Sequence, residues 1–270
     1  MNYRHIYHAG NFADVLKHIV LISLINKLKQ KEKPFGVLDA FAGTGIYNIA
    51  GEKAQKTGEA KTGIELIKSG TNYPDLVAQY LDIVSSFSKD TYPGSPAIIA
   101  SLLRDNDRLI ATELHSEDYA ELKKNMRSFK NSEIHHMDAY NATKAFTPLK
   151  EKRGLILIDP PFEVKDEFDK IINALTILNP RFISGIVMTW YPMKDKKTIA
   201  DFYEKYKKIG YKESFILEFE IKLEQKEGAM NKCGIIISNP PDVKKELQCV
   251  LDYLTSNIYK GIAKASMVTM

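Results

Sequence analysis

An aspartate, two prolines and a phenylalanine stand in a row at Asp159-Pro160-Pro161-Phe162, directly after an apolar run at 155–158. The run has the length and composition of a buried strand. The prolines stop it and restrict the residue before each of them to extended geometry. A carboxylate and an aromatic ring are thereby held in a stiff turn at the carboxyl end of a strand, which is where open α/β sheets bind ligands. Such a turn suits chemistry on an amino group attached to a ring, such as that of adenine. That nitrogen is a poor nucleophile because its lone pair is delocalised into the ring. A side-chain oxygen of Asp159 and the carbonyl of Pro160 can each accept one of its N–H bonds, which draws the nitrogen toward tetrahedral geometry and aims its lone pair outward. Phe162 can stack on the base, a contact worth about 1–3 kcal/mol.

The electrophile has to be found upstream. Val37-Leu38-Asp39-Ala40-Phe41-Ala42-Gly43-Thr44-Gly45 reads as a strand running into a tight glycine loop. Asn48 stands where the dinucleotide fingerprint G-x-G-x-x-G has its third glycine, so a NAD-dependent dehydrogenase is the weakest reading of this loop. D-x-F-x-G-x-G instead resembles the first motif of S-adenosylmethionine (SAM)-dependent methyltransferases. The glycines let the backbone approach the ligand, and the carboxylate of Asp39 could face the sulfonium and amino groups of its methionine end. Two further acids extend the pattern. Glu113 closes a strand at 108–113, in place to bind ribose hydroxyls, and Asp138 follows a short strand at 133–136, in place to bind the amino group of the cofactor's adenine. Single acids at strand ends are common; a series of four, Asp39, Glu113, Asp138 and Asp159, on successive strands is not.

These residues need a scaffold that lines up strand ends. Strands near 35–39, 108–113, 133–136, 155–158 and 182–190, separated by helical segments, predict a Rossmann-like α/β fold with a mostly parallel sheet. Segments 214–223 and 232–238, joined by a polar loop containing Gly228, read as a hairpin that brings the sheet to seven strands. A helix near 243–253 and an irregular tail follow. No acid suited to ribose lies about 20 residues past the glycine loop, where the simplest doubly wound domain has one. Residues 46–107 read instead as a helical insertion, with Ile64, Leu66 and Ile67 on one amphipathic segment and Leu76, Val77, Tyr80 and Val84 on another. The catalytic domain is then 1–45 plus 108–270, and 46–107 is an insertion subdomain. Near its end Ser95 reads as a helix N-cap with Pro96 at the first helical position, and the free N–H groups there make Ser95 a candidate cofactor contact too. Asn239-Pro240-Pro241-Asp242 has the form of a second copy of the central motif. It follows the return strand of the hairpin, so its end faces the opposite edge of the sheet, and Asp242 stands where a stacking ring is needed. It reads as a structural turn.

The chain has 270 residues and a net charge of +4, which permits an anionic partner without demanding one. The cluster Lys27, Lys29, Lys31 and Lys33 reads as a solvated helix end in preference to a phosphate-binding patch. Cys233 and Cys249 have neither metal nor disulfide spacing, and the six His show no ligand spacing with Cys or acids. Reduced thiols in a cytoplasmic protein, and no metal, are expected. There is no signal peptide and no long apolar run, so neither secretion nor membrane insertion is expected. The first residues, Tyr3-Arg4-His5-Ile6-Tyr7-His8-Ala9-Gly10-Asn11, form an arm unusually rich in His and aromatics. From Ala13 the pattern turns helical with a wide apolar stripe, capped by Asn11 or Asp14. Lys17 and His18 sit just past the arm, with structural and functional roles both open.

Taken together, Y-R-H-x-x-H-A-G-N-x-A-D-V-L-K-H, D-A-F-A-G-T-G, Y-P-G-S-P, T-E-L-H and G-L-I-L-I-D-P-P-F resemble the RlmJ family over essentially the full length. Those enzymes are bacterial 23S ribosomal RNA adenine-N(6)-methyltransferases that use SAM and release S-adenosylhomocysteine. The resemblance implies Asp159, with Pro160 and Phe162, as the catalytic turn. It implies a SAM site lined by His18, Ser95, Glu113, Asp138 and Asp159 with Lys17 nearby, to which the loop residues Asp39, Phe41 and Gly43 and the neighbouring Ala139 are added. It implies RNA contacts from Tyr3 and Arg4 in an arm at 1–12, and a monomer acting on one adenine of free or partly assembled 23S rRNA. Three positions depart from the family pattern: Phe162 where Tyr is frequent, Phe41 in place of a His, and Ala139 in place of a Gly. A DNA adenine methyltransferase shares the D-P-P-F chemistry, but no separate target-recognition domain is visible. Methylation of a protein amide and a non-catalytic RNA-binding role are the remaining alternatives.

Overall fold

The computed structural model describes residues 4–222 and 230–270. Ten strands are present among them: β1 (Gly36–Asp39), β2 (Ile46–Asn48), β3 (Thr91–Pro93), β4 (Arg108–Glu113), β5 (Ser132–His136), β6 (Gly154–Ile158), β7 (Ile186–Pro192), β8 (Ser214–Ile221), β9 (Lys232–Ser238) and β10 (Ala263–Thr269). The helices are α1 (Phe12–Lys29), α2 (Glu52–Thr57), α3 (Ile64–Lys68), α4 (Asp75–Ser85), α5 (Ser95–Leu102), α6 (Ser116–Asn125), α7 (Ala139–Ala145), α8 (Glu167–Arg181), α9 (Lys196–Lys207) and α10 (Lys244–Tyr253). Eight strands form the main sheet in the order β10-β8-β9-β7-β6-β1-β4-β5. The strands from β7 to β5 are parallel, and β9, β8 and β10 join by antiparallel pairing. The chain moves outward from β1 to β4 and β5, then returns to the other side of β1 to lay down β6. The crevice between β1 and β6 is therefore a topological switch point, where such sheets take their ligands.

Both faces of the centre of the parallel part are covered, so β1 and β6 are buried at every position. In β6, Leu155 and Leu157 turn into the cluster built around α1, whereas Ile156 and Ile158 turn into a second cluster with α8 and α9. Helix α1 is buried on all sides from Phe12 to Ile25, beyond the stripe read from its sequence. The insertion is the reason: Ile64, Ile67, Val77 and Tyr80 pack in the same cluster as Val15, Ile19 and Ile22. Asn11 caps α1, its side chain accepting the Asp14 N–H at 2.8 Å. Lys27 and Lys29 lie in the last turn, and the carbonyls beyond are engaged by arginines: Lys31 and Lys33 accept from Arg104, and Lys33 from Arg153 as well.

The structure corrects the sequence reading in five places. The sheet has eight strands, not seven, because the tail forms β10, paired with β8 from Ala263↔Ile221 to Thr269↔Phe215. The insertion is not purely helical: β2 and β3 form an antiparallel ribbon that closes its ends together. Gly94, extended at φ −75°, ψ 177°, is the N-cap of α5, and Ser95 is its first helical residue without a capping hydrogen bond. The fifth parallel strand runs Ile186–Pro192; residues before it form a turn closed by the Gly185 N–H on the Phe182 carbonyl, which leaves Ile183 75% exposed. The strand read to 223 ends at Ile221, and Leu223 and Gly228 lie outside the described residues. The N-P-P turn does end the antiparallel β9. Asn239 there donates to the Gly185 carbonyl at 3.0 Å, on the edge away from the acid series.

Candidate active site

Sheet register explains why the four acids converge. Asp39 of β1 is level with Ala111 of β4 and Leu157 of β6. Glu113 and Asp159 each lie two residues further on, and Asp138 lies two residues past His136, the partner of Glu113. The carboxyl edge of the parallel strands thus carries one row of acids. Above it is a cavity of about 780 Å³. Lys17, His18, Phe41, Gly43, Ser95, Glu113, Asp138, Ala139, Asp159, Pro160 and Phe162 all line it. Asp39 lies just beneath the lining, fully buried. Tyr3 lies outside the described residues. Arg4 is held in ion pairs with Glu117 at 2.6 Å and Asp118 at 2.5 Å, both on α6.

At one end of the cavity Asp159 meets Lys17. The ammonium of Lys17 donates to Asp159 Oδ2 at 2.5 Å and to Asp14 Oδ1 at 2.7 Å. Burial by itself depresses the Lys17 pKa, but Asp14 and Asp159 overcome that and hold it above its ordinary value. Burial pushes Asp14 the other way, yet His5 and Lys17 keep its carboxyl well below the usual range. Asp14 also receives His5 Nε2 at 2.9 Å and the Gly10 N–H at 3.0 Å, so the arm is tied to the same carboxylate that steadies Lys17. A second tie runs to the insertion, where Glu59 meets His8 Nδ1 and Asn11 Nδ2, each at 2.9 Å. His18 is buried against the Tyr92 hydroxyl at 2.7 Å; burial, aided by Lys17, pushes its pKa down to about 3, so it is a neutral ring. Beside Asp159 the Phe162 ring is set by Phe168 at 4.9 Å and Trp190 at 6.1 Å. Phe162 has φ 52°, a left-handed backbone that a bulky residue adopts only under surrounding constraint.

The other end is built from the glycine loop and the ends of β4 and β5. Glu113 accepts the Gly43 N–H at 3.1 Å and the His115 N–H at 2.7 Å, and burial raises its pKa. Gly43 sits at φ 58°, and a Cβ there would come within 2.2 Å of the Tyr47 hydroxyl. Asp138 caps α7, accepting the Asn141 N–H at 2.9 Å. Phe41 packs edge-on against Tyr140 at 5.5 Å, so an aromatic pair forms this wall. Neither oxygen of Asp39 has a hydrogen bond of good geometry, with only the Ser95 hydroxyl and the Phe41 N–H near enough to favour its charged form. Burial raises its pKa to about 7, with the Ser95 hydroxyl pulling it back and Asp159 adding to the rise. An orphaned buried carboxylate asks for a cation. A loop with a glycine in the left-handed region, a carboxylate at Glu113 and an aromatic wall fit a nucleoside that carries positive charge at its far end. The donor set of this site therefore fits SAM.

The sequence reading missed Asp14 as part of the site; its spacing of three from Lys17 on a helix was the available signal. Tyr47, Glu59, Tyr140 and Trp190 also reach the cavity, and nothing in their local sequence marks them.

The family model described as ribosomal RNA large subunit methyltransferase D, RlmJ, matches residues 32–269. This chain belongs to the RlmJ family. It is 36% identical over 264 residues to the Ribosomal RNA large subunit methyltransferase J of Haemophilus influenzae, covering 96% of this chain and 94% of that protein. The protein of the same name from Escherichia coli is 35% identical over 263 residues, with the same coverage of 96% and 94%. A crystal structure of a Legionella pneumophila protein superposes with a TM-score of 0.89 at 34% identity, covering 97% of this chain and 98% of that one. The RlmJ relationship thus spans both the parallel sheet and the insertion. Among the described residues no helix is long and apolar enough to cross a membrane.

Proposed function

We infer that this protein transfers the methyl group of SAM to the exocyclic N(6) amino nitrogen of an adenine in 23S rRNA, as a monomer in the cytoplasm. The observation that carries this reading is the shared cavity, which has Asp159, Pro160 and Phe162 at one end and Glu113 and Asp138 at the other. Membership of the RlmJ family and the names of its relatives, which are ribosomal RNA large subunit methyltransferases, support the substrate.

Glu113 and the Gly43 backbone would hold the ribose of SAM; Asp138, Ala139, Phe41 and Tyr140 would hold its adenine; Asp39 would answer its cationic methionine end, with Ser95 and His18 alongside. When bound, SAM supplies a methyl group already activated on a sulfonium. The protein's own share is alignment. Lys17 engages Asp159 Oδ2, which fixes the carboxylate plane and leaves Oδ1 to accept one N–H of the target amine. The Pro160 carbonyl takes the other, and Phe162 stacks on the ring. The nitrogen sheds a proton once it carries the methyl group, and Asp159 Oδ1 is the atom placed to receive it. The target base must leave its stack to reach this turn.

Nucleoside mass spectrometry after incubation with SAM and unmodified 23S rRNA, with matched DNA alongside, tests the assignment. N(6)-methyladenosine in the RNA alone is expected. Methyl in DNA alone would transfer the reading to a DNA adenine enzyme.

A further inference from the structure

Behind the catalytic turn lies a second cavity of about 230 Å³, between the loop after Phe162 and the start of α9. It is below the roughly 300–1,000 Å³ of ordinary small-molecule sites, and so fits one base better than a whole cofactor. Phe162, Val164, Glu167, Pro192 and Lys194 line both cavities, so the second adjoins the first along a shared wall. The floor is apolar, formed by Phe168, Pro192 and Ile199, and Val164, 44% exposed, stands at the edge. Lys165 and Lys194, both exposed, border it, and among the described residues neither has a hydrogen bond or an ion pair. The neighbouring carboxylates are already engaged. Asp195 caps α9 through the Thr198 N–H at 2.8 Å and hydroxyl at 2.6 Å, and Glu167 accepts the Tyr140 hydroxyl at 2.5 Å. The rim thus offers two lysines with no partner of their own beside an apolar floor, the combination that binds single-stranded nucleic acid through base contact and phosphate charge.

We propose that this second cavity receives the nucleotide next to the target adenosine, its base on the Phe168–Ile199 floor and its phosphates between Lys165 and Lys194. The proposal rests on the RNA reading of the main site. Continuity favours it: an extruded adenine stacked on Phe162 leaves its strand neighbour one nucleotide away, within reach of the adjoining cavity. A strand held in both cavities is gripped at two successive nucleotides, which keeps the target base out of its stack.

The test uses the full-length protein and a synthetic RNA centred on the adenosine mapped by mass spectrometry. In the Lys165→Ala/Lys194→Ala double variant we expect KM for RNA to rise about tenfold with kcat within twofold. The slope of log affinity against log salt should become shallower by about 1.4, near 0.7 for each of two lost phosphate contacts on a single strand. An abasic ribose beside the target should lower wild-type kcat/KM about tenfold, and Val164→Asp, at an exposed position, should erase that difference. Unchanged KM and salt slope in the double variant, with wild type active on the RNA, would overturn the proposal and leave the methyltransferase reading standing. A wild-type protein that leaves the RNA unmethylated would remove the RNA reading and this site together.

Discussion

Asp159 and Asp39 sit on adjacent strands and answer to different surroundings. Asp159 shares the Lys17 ammonium with Asp14, whereas Asp39 has no cation in contact. Replacing Asp159 by Asn keeps the shape but removes the charge and the base at Oδ1. We expect kcat to fall at least about 100-fold, in the range of a lost acid–base group, with SAM affinity changed little by calorimetry. Asp39 makes a prediction about pH. Its folded-state pKa is raised from 3.8 to about 7, so the folded protein holds a proton that the unfolded chain gives up near pH 4. Stability from this group therefore falls as pH rises from about 4 to about 7 and is level above that, by an amount on the order of 4 kcal/mol. Urea titrations across this window should show the decline, and Asp39→Asn should flatten it. A cationic ligand reverses the preference, so SAM affinity should weaken up to tenfold per pH unit below about 7, and the variant should lack that dependence.

At the scale of elements, the arm, α1 and the insertion form one joint. The start of α3 presses on the arm: the Ile64 N–H donates to the Gly10 carbonyl at 2.8 Å, and a Cβ on Gly63 would lie 2.0 Å from that same oxygen. Gly63→Ala must push back the residues that cap α1, and with them Asp14 and Lys17. A loss of about 2–4 kcal/mol is expected from such overpacking, read as a fall in Tm of roughly 5–15 °C. The same joint shows what a sequence can reveal. The acid row was legible because Asp39, Glu113 and Asp159 each follow a largely apolar run, and β4 came out with the bounds read from the pattern. Ala263-Lys264-Ala265-Ser266-Met267-Val268-Thr269 was not legible as a strand. It is an edge strand of small and polar residues, only half covered, and its place is set by pairing with β8 rather than by its own composition. The β2–β3 ribbon escaped for a related reason, since its two strands are three residues each and meet only after the whole insertion has folded between them. In the site, strand-end acids announced themselves. Tyr140 and Trp190 did not, because only the fold decides which aromatic faces a cavity.

For the whole molecule the question is whether copies associate. The large apolar side chains exposed among the described residues, Leu114, Val164, Ile183 and Val268, are few and lie on four separate segments of the chain. One edge of the sheet, β5, carries Glu133, His135 and His136, and the other, β10, carries Lys264; charged and polar edges resist strand-to-strand pairing. Sedimentation at about 50 μM should accordingly show a single species with the mass of one chain, 30.6 kDa.

The burial of α1 also has a consequence for synthesis on the ribosome. This helix leaves the exit tunnel before the elements it packs against, β6, β9 and α10, and the last residue of β9 is Ser238. At roughly 5–20 residues per second, about 10–40 s separate the appearance of the helix from that of β9. Through that interval a segment that is apolar over most of its surface waits without its neighbours, which makes it a natural client for nascent-chain chaperones. Stalled chains ending near residue 150 should be digested rapidly by added protease, and chains released at full length should resist it.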